Sequence, residues 1–210
     1  MLSDAAEQKR VLESSRPWQG AVFGIRTDSV DFGDVIAKRD YLDHPGAVCI
    51  VALRNESDPE ICLIKQYRHP IRATLWEIPA GLTDVEGETL LEAAKRELAE
   101  EVGLAASQWD TLVDLFSSPG CSNERLRVFL ARGISSCPAP ERFVKEAEEA
   151  ELELRWVKLT EVLQEIFSGS IHNPSTVTGV LAASAAVEGG FQNLRSPDDR
   201  WCLSRDSLQE

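Results

Sequence analysis

Apolar residues run without interruption from Ala47 to Leu53, which predicts a buried strand, and Ile61 to Gln66 reads as a second strand pairing antiparallel with it through the polar turn Arg54 to Glu60. Ahead of them, Gly20 to Arg26 and Ser29 to Ala37 read as short strands of a small antiparallel sheet, with Thr27-Asp28 as the turn. His44-Pro45-Gly46 is a loop signal. Leu75 to Ile78 reads as a short strand feeding Pro79-Ala80-Gly81, an irregular turn whose carbonyls can point into a site. Thr89 to Val102 has no internal Pro or Gly, is rich in Leu, Ala, Glu, Lys and Arg, and stops at Gly103, so it reads as a helix.

Beyond it, Thr111 to Phe116 and Leu126 to Arg132 read as strands separated by the polar loop Ser117 to Glu124. Leu152, Leu154 and Trp156 alternate with charged residues as a half-exposed strand. Thr160 to Phe167 has helical spacing, with Thr160 as cap and Gly169 as stop, and the Ala-rich stretch Ser175 to Val187 reads as a helix behind Pro174. Residues 1–17 are expected to be mobile, 18–46 to form the N-terminal sheet, 47–188 the main domain and 189–210 a tail. Helices among about six to eight strands, without regular βαβ alternation, predict an α+β fold with a mixed sheet.

On the helix, Leu91, Ala94, Leu98 and Val102 share an apolar stripe, and Glu97, Glu100 and Glu101 share an adjacent arc. Glutamates at these spacings repel, and only Glu100 finds a basic neighbour at helical spacing, in Arg96. A hard divalent cation with oxygen ligands would neutralise the group; a solvated glutamate-rich face is the alternative.

The chain carries a formal charge of −13 and a pI near 4.7, which argues against affinity for nucleic-acid backbones or anionic membranes but leaves a phosphorylated small molecule open. The five cysteines include no Cys-x-x-Cys pair and read as reduced thiols; the three histidines make no zinc pattern. With no apolar leader at the N-terminus and no run of membrane-spanning length, a cytoplasmic protein is expected.

Gly81, Glu88, Arg96, Glu97, Leu98, Glu100, Glu101, Gly103 and Leu104 together resemble the Nudix hydrolase signature. One spacing departs: six residues separate Gly81 from Glu88, where the family usually has five. Outside the signature, Pro119 lies fifteen residues beyond Leu104, and with Ser122-Asn123-Glu124-Arg125 and Gln66-Tyr67-Arg68 it resembles the ADP-ribose pyrophosphatase branch. The resemblance covers roughly residues 18–188 and implies a Nudix-type α/β/α sandwich plus the N-terminal antiparallel sheet.

It also implies roles. Ala80 through its carbonyl, with Glu97, Glu100 and Glu101, would hold Mg²⁺, with Mn²⁺ as a possible substitute, and Glu101 would share in catalysis. The general base is expected on the acidic loop as Glu148 first, then Glu149, with Glu151 as a further option. Arg68 is expected to bind the diphosphate or terminal ribose; Pro119 and Glu124 mark the substrate loop; Arg39 would either reach across a dimer interface or form a structural salt bridge. Glu88 and Arg96 would orient the helix, and Phe23 or Trp18 would stack adenine. The implied reaction is hydrolysis of ADP-ribose to AMP and ribose 5-phosphate by a homodimer with exchanged N-terminal strands. The alternatives are another sugar nucleotide or dinucleotide (GDP-mannose, ADP-glucose, NADH) or a non-catalytic nucleotide-diphosphate sensor.

Overall fold

The computed structural model describes residues 2–137 and 153–203. The chain divides into two compact units. One is centred on an N-terminal sheet and takes in Phe116–Arg125; the other comprises Ala47–Leu115 with Leu126–Asp198.

The larger unit is built on a seven-stranded mixed sheet. Its main path runs β10 (Glu153–Lys158), β5 (Glu60–Arg68), β4 (Ala47–Arg54), β9 (Arg125–Ser136) and β8 (Leu104–Phe116). Two short strands lie off this path: β6 (Ala73–Glu77) pairs with β5 and β7 (Ala80–Leu82) with β4. The β4/β9 ladder is parallel, whereas β4 pairs antiparallel with β5 and β7. Strand β4 is apolar on both faces because both are covered. Val48, Ile50 and Ala52 join one core cluster with Ala93, Ala94 and Leu98 of helix α1 (Leu90–Val102). Cys49, Val51 and Leu53 join a second with residues of α2 (Leu159–Ser168) and α3 (Pro174–Glu188). Helices thus flank both faces, as the α/β/α expectation requires.

Gly179 shows how close α3 sits: a Cβ there would lie 3.1 Å from both Ile78 and Val51 side chains. Helix α2 differs from expectation at its start. It begins at Leu159 with Lys158 as N-cap and no side-chain cap, because burial of Leu159 extends the helix back past Thr160. Residues 191–195, within the expected tail, are tied to the sheet of the larger unit. Phe191 lies under the Arg132 guanidinium at 4.2 Å, Thr111 donates its N–H to the Arg195 carbonyl at 3.0 Å, and Arg195 bonds Asp114 at 2.9 Å.

In the smaller unit, β1 (Arg10–Gln19), β2 (Gly24–Asp31) and β3 (Ile36–Asp43) form an antiparallel sheet in the order β1-β2-β3. Two expectations are corrected. Residues 10–17 are a strand rather than mobile chain, held by its backbone ladder to β2 although every residue of β1 is exposed. The β2–β3 turn falls at residues 32–35 rather than at Thr27-Asp28. Gly33 takes the left-handed φ of 90° there and donates its N–H to Asp31 at 2.8 Å. Thr27 and Asp28 are instead mid-strand, bonded across the ladder to Asp40 and Tyr41 at 2.7 and 2.9 Å.

Candidate active site

Helix α1 is fixed at both ends by local sequence. Thr89 forms a capping box, its hydroxyl accepting from the Glu92 N–H at 3.2 Å while the Glu92 carboxylate accepts from the Thr89 N–H at 2.9 Å. Gly103 closes the helix in the left-handed conformation. Leu98 packs into the core between Glu97 and the Glu100-Glu101 pair, so burial of one apolar residue sets the bearing of all three carboxylates.

The relief of their repulsion is greater than the helical spacing predicts. Arg96 bonds Glu97 at 2.6 Å, Glu100 at 3.2 Å, and both oxygens of Glu88 at 2.9 Å each. The first and last of these pairings, one residue on along the helix and eight residues back to just ahead of the cap, fall outside the i,i+3 and i,i+4 rule. These contacts, Glu88 foremost, raise the Arg96 pKa and keep it charged. Burial pushes the Glu97 carboxyl upward, with Arg96 partly opposing it. The extra residue before Glu88 is taken up in a loop where Gly87 has a left-handed φ of 81° and the Glu88 N–H meets the Val85 carbonyl at 3.3 Å.

Glu101 has a different partner. It is 9% exposed and accepts the Ala80 N–H at 3.1 Å. The adjacent Pro79 carbonyl turns the other way and accepts from the Ile50 N–H at 2.8 Å. A residue's N–H and C=O face the same edge of an extended strand, so the Ala80 carbonyl faces α1, where Glu101 lies. Gly81 completes the approach: a Cβ on it would stand 1.9 Å from the Glu97 carboxyl carbon, so only glycine leaves room for that carboxylate beside the strand.

Among the described residues no three His, Cys, Asp or Glu side chains converge as a ready ligand set, since Arg96 draws Glu97 and Glu100 while Glu101 rests on Ala80. The residues nevertheless fit a hard divalent cation: three carboxylates and one carbonyl, all oxygen, with the glycine cradle that a side chain would fill.

Arg68, at the end of β5, forks onto Glu77, Nε to Oε1 at 2.8 Å and Nη2 to Oε2 at 2.6 Å. Glu77 is a member of this neighbourhood that sequence patterning passed over; an acid inside the apolar run Leu75 to Ile78 was the available signal. Thr176, at the start of α3, is another. Its hydroxyl accepts the Ile78 N–H at 3.0 Å and bonds Asn173, the α3 cap, at 3.1 Å.

Arg39, Pro119 and Glu124 belong to the smaller unit. Arg39 stacks over Phe32 at 5.1 Å and donates to the Lys38 carbonyl at 3.0 Å. Pro119 lies in a tight turn closed by the Cys121 and Ser122 N–H groups on the Ser118 carbonyl, both at 3.0 Å. That loop is held to β3 through Leu42, whose N–H meets the Cys121 carbonyl and whose carbonyl meets the Asn123 N–H. Glu124 accepts from the Ser117 hydroxyl. Trp18 and Phe23 form a tilted ring pair with centroids 5.6 Å apart. Glu148, Glu149 and Glu151 lie outside the described residues. Burial pushes the Cys62 thiol up to about 12, which leaves it unreactive as a nucleophile. No helix among the described residues is long and apolar enough to cross a membrane.

Residues 43–174 match the NUDIX domain. The chain is 43% identical over 183 residues to an ADP-ribose pyrophosphatase of Mycobacterium tuberculosis, covering 87% of this chain and 86% of that protein. It is 31% identical over 174 residues to a methanol dehydrogenase activator of Bacillus methanolicus, covering 82% and 91% respectively. A solved structure described as an ADP compounds hydrolase superposes with a TM-score of 0.71 at 20% identity, covering 90% of this chain and 98% of that one. With the matched domain spanning more than half its length, and with the mycobacterial relative 43% identical over most of both chains, the chain belongs to the Nudix hydrolases.

Proposed function

We propose that the chain hydrolyses the diphosphate of ADP-ribose, adding water across one P–O–P linkage to release AMP and ribose 5-phosphate. The observation that carries this reading is the Glu101–Ala80 hydrogen bond, which brings a buried carboxylate to the strand end beside Glu97 and Gly81. Likeness to the mycobacterial ADP-ribose pyrophosphatase over most of both chains supports the substrate.

Family members of this branch need a divalent metal, and Mg²⁺, with Mn²⁺ as substitute, suits all-oxygen donors. Bound by Glu97, Glu101 and the Ala80 carbonyl, with Glu100 completing the group, the cation would screen the charged diphosphate and acidify water. The remaining work falls to the chain. Arg96 stays charged and keeps Glu97 and Glu100 from repelling each other apart. Arg68 pairs with the diphosphate or terminal ribose. Glu148, with Glu149 as second choice, takes the proton of the attacking water. Pro119 and Glu124 are proposed to mark the substrate loop, and Arg39 to reach across a dimer interface.

The smaller unit supports a homodimer with exchanged N-terminal strands. Its sheet leaves Val11, Trp18, Phe32, Val35 and Ile36 between 46 and 63% exposed, surface that a second copy would cover. Light scattering behind size exclusion should give twice the chain mass; a monomer at micromolar concentration would contradict the exchange.

The activity is tested by incubating the protein and Mg²⁺ with ADP-ribose, GDP-mannose, ADP-glucose and NADH and separating the products. ADP-ribose should turn over fastest, to AMP and ribose 5-phosphate. Preference for another compound would reassign the substrate, and no turnover of any would leave a diphosphate sensor.

A further inference from the structure

Four consecutive residues leading into strand β7 each commit one polar group to a different element. The Glu77 carboxylate holds Arg68 on β5, the Ile78 N–H bonds Thr176 on α3, the Pro79 carbonyl accepts from Ile50 on β4, and the Ala80 N–H bonds Glu101 on α1. Segment 77–80 is therefore immobilised from every side. It spans only about 10 Å at the rise of an extended chain.

The Glu77–Arg68 pair is asymmetric. The Glu77 side chain is 2% exposed and the Arg68 side chain 44%. A carboxylate taken out of water is costly even when paired, and an apolar residue on this strand would pack at lower cost. The buried partner is the fixed one, rooted in the sheet, and it grips the guanidinium along one edge while the rest of that side chain reaches the surface.

We propose that Glu77 is a positioning residue for Arg68. It sets the plane of the guanidinium and, through the three-residue connection to Ala80, its distance from the metal-binding carbonyl. The bidentate fork leaves the planar group one orientation, where a single contact would leave it free to swivel. Substrate is thus met by a cation and an arginine whose spacing is built into one strand end, so less ordering remains to be done when the diphosphate arrives. This rests on the proposed reading in which Arg68 contacts substrate.

The test compares wild type, E77Q, R68A and the double variant, measuring KM and kcat for ADP-ribose, the apparent Mg²⁺ requirement and the melting temperature. Replacement of Arg68 should raise KM about tenfold or more. E77Q should raise KM severalfold with the Mg²⁺ requirement unchanged, and the double variant should be no worse than R68A alone. If E77Q does not fold, E77D keeps the charge, withdraws it by one methylene, and carries the same expectation. A lowered melting temperature with wild-type KM would make the pair purely structural and overturn the proposal, as would additive KM effects in the double variant. An inactive wild type, or R68A with unchanged KM, would overturn the proposal together with the reading beneath it, and would do so in proteins where Glu77 is intact.

Discussion

The Ala80 N–H donates to Glu101 across 3.1 Å, joining strand β7 to helix α1, the two elements proposed to supply the metal ligands. The partners are 21 residues apart in sequence. This contact fixes the site's geometry before any ligand binds, because both ends are rooted in the core: Ala80 through the β7–β4 ladder and Glu101 beside Leu98.

Gly81→Ala should weaken both the fold and metal binding. The new Cβ would fall 1.9 Å from the Glu97 carboxyl carbon and 2.3 Å from its Cγ, so the whole Glu97 arm must move off the strand. Stability should fall by about 1–3 kcal/mol, as for overpacking elsewhere. The apparent Mg²⁺ affinity should weaken about 10- to 100-fold in a titration of activity against Mg²⁺. Wild-type Mg²⁺ dependence would remove Glu97 from the ligand set.

Glu97 also gives a pH signature in the metal-free protein. Its carboxyl pKa is raised in the fold from the ordinary 4.5, chiefly by burial. The folded state therefore holds the proton more tightly than the unfolded chain. The group's contribution is fully present below about pH 4.5 and is lost as pH rises through the raised folded value. In EDTA, wild type should lose stability relative to Glu97→Gln on going from pH 4 to pH 7, read as the difference of their melting temperatures. A pH-independent difference would mean that burial does not penalise this carboxylate.

Stability away from the site depends on Asp114. Arg127, itself buried, donates Nε and Nη2 to the two Asp114 oxygens at 2.7 and 3.0 Å, and Arg195 from the C-terminal segment adds a third bond at 2.9 Å. Asp114→Ala withdraws the carboxylate from both guanidinium groups and should cost about 3–5 kcal/mol. In a chain of this size that lowers the melting temperature by roughly 5 °C or more. KM and kcat of the remaining folded enzyme should not change, and a variant as stable as wild type would show that the segment past Gly189 is not anchored this way.

The parts of this molecule legible in the sequence are those whose signals are local. Helix α1 is legible because no Pro or Gly interrupts it and Gly103 stops it, and β4 because an unbroken apolar run needs cover on both faces. Strand β1 is not, since its exposed residues show no alternation and its order comes from a backbone ladder to β2. The same limit applies within the site. Arg96 reaches Glu88 across a loop, and Glu77 meets Arg68 across the β5–β6 pairing, contacts that no helical or strand period encodes. Thr176 and Ile78 lie 98 residues apart, so only the packed fold reveals that α3 steadies the strand before Ala80.

The most direct test of the account is hydrolysis of ADP-ribose by Glu101→Gln at saturating Mg²⁺. The amide keeps the size of the side chain and an oxygen able to accept from Ala80, but loses the charge that a cation requires. Turnover should fall about 10³-fold or more with the melting temperature within a few degrees of wild type. Activity near wild type in the folded variant would contradict the assignment of Ala80, Glu97 and Glu101 as the metal centre of this enzyme.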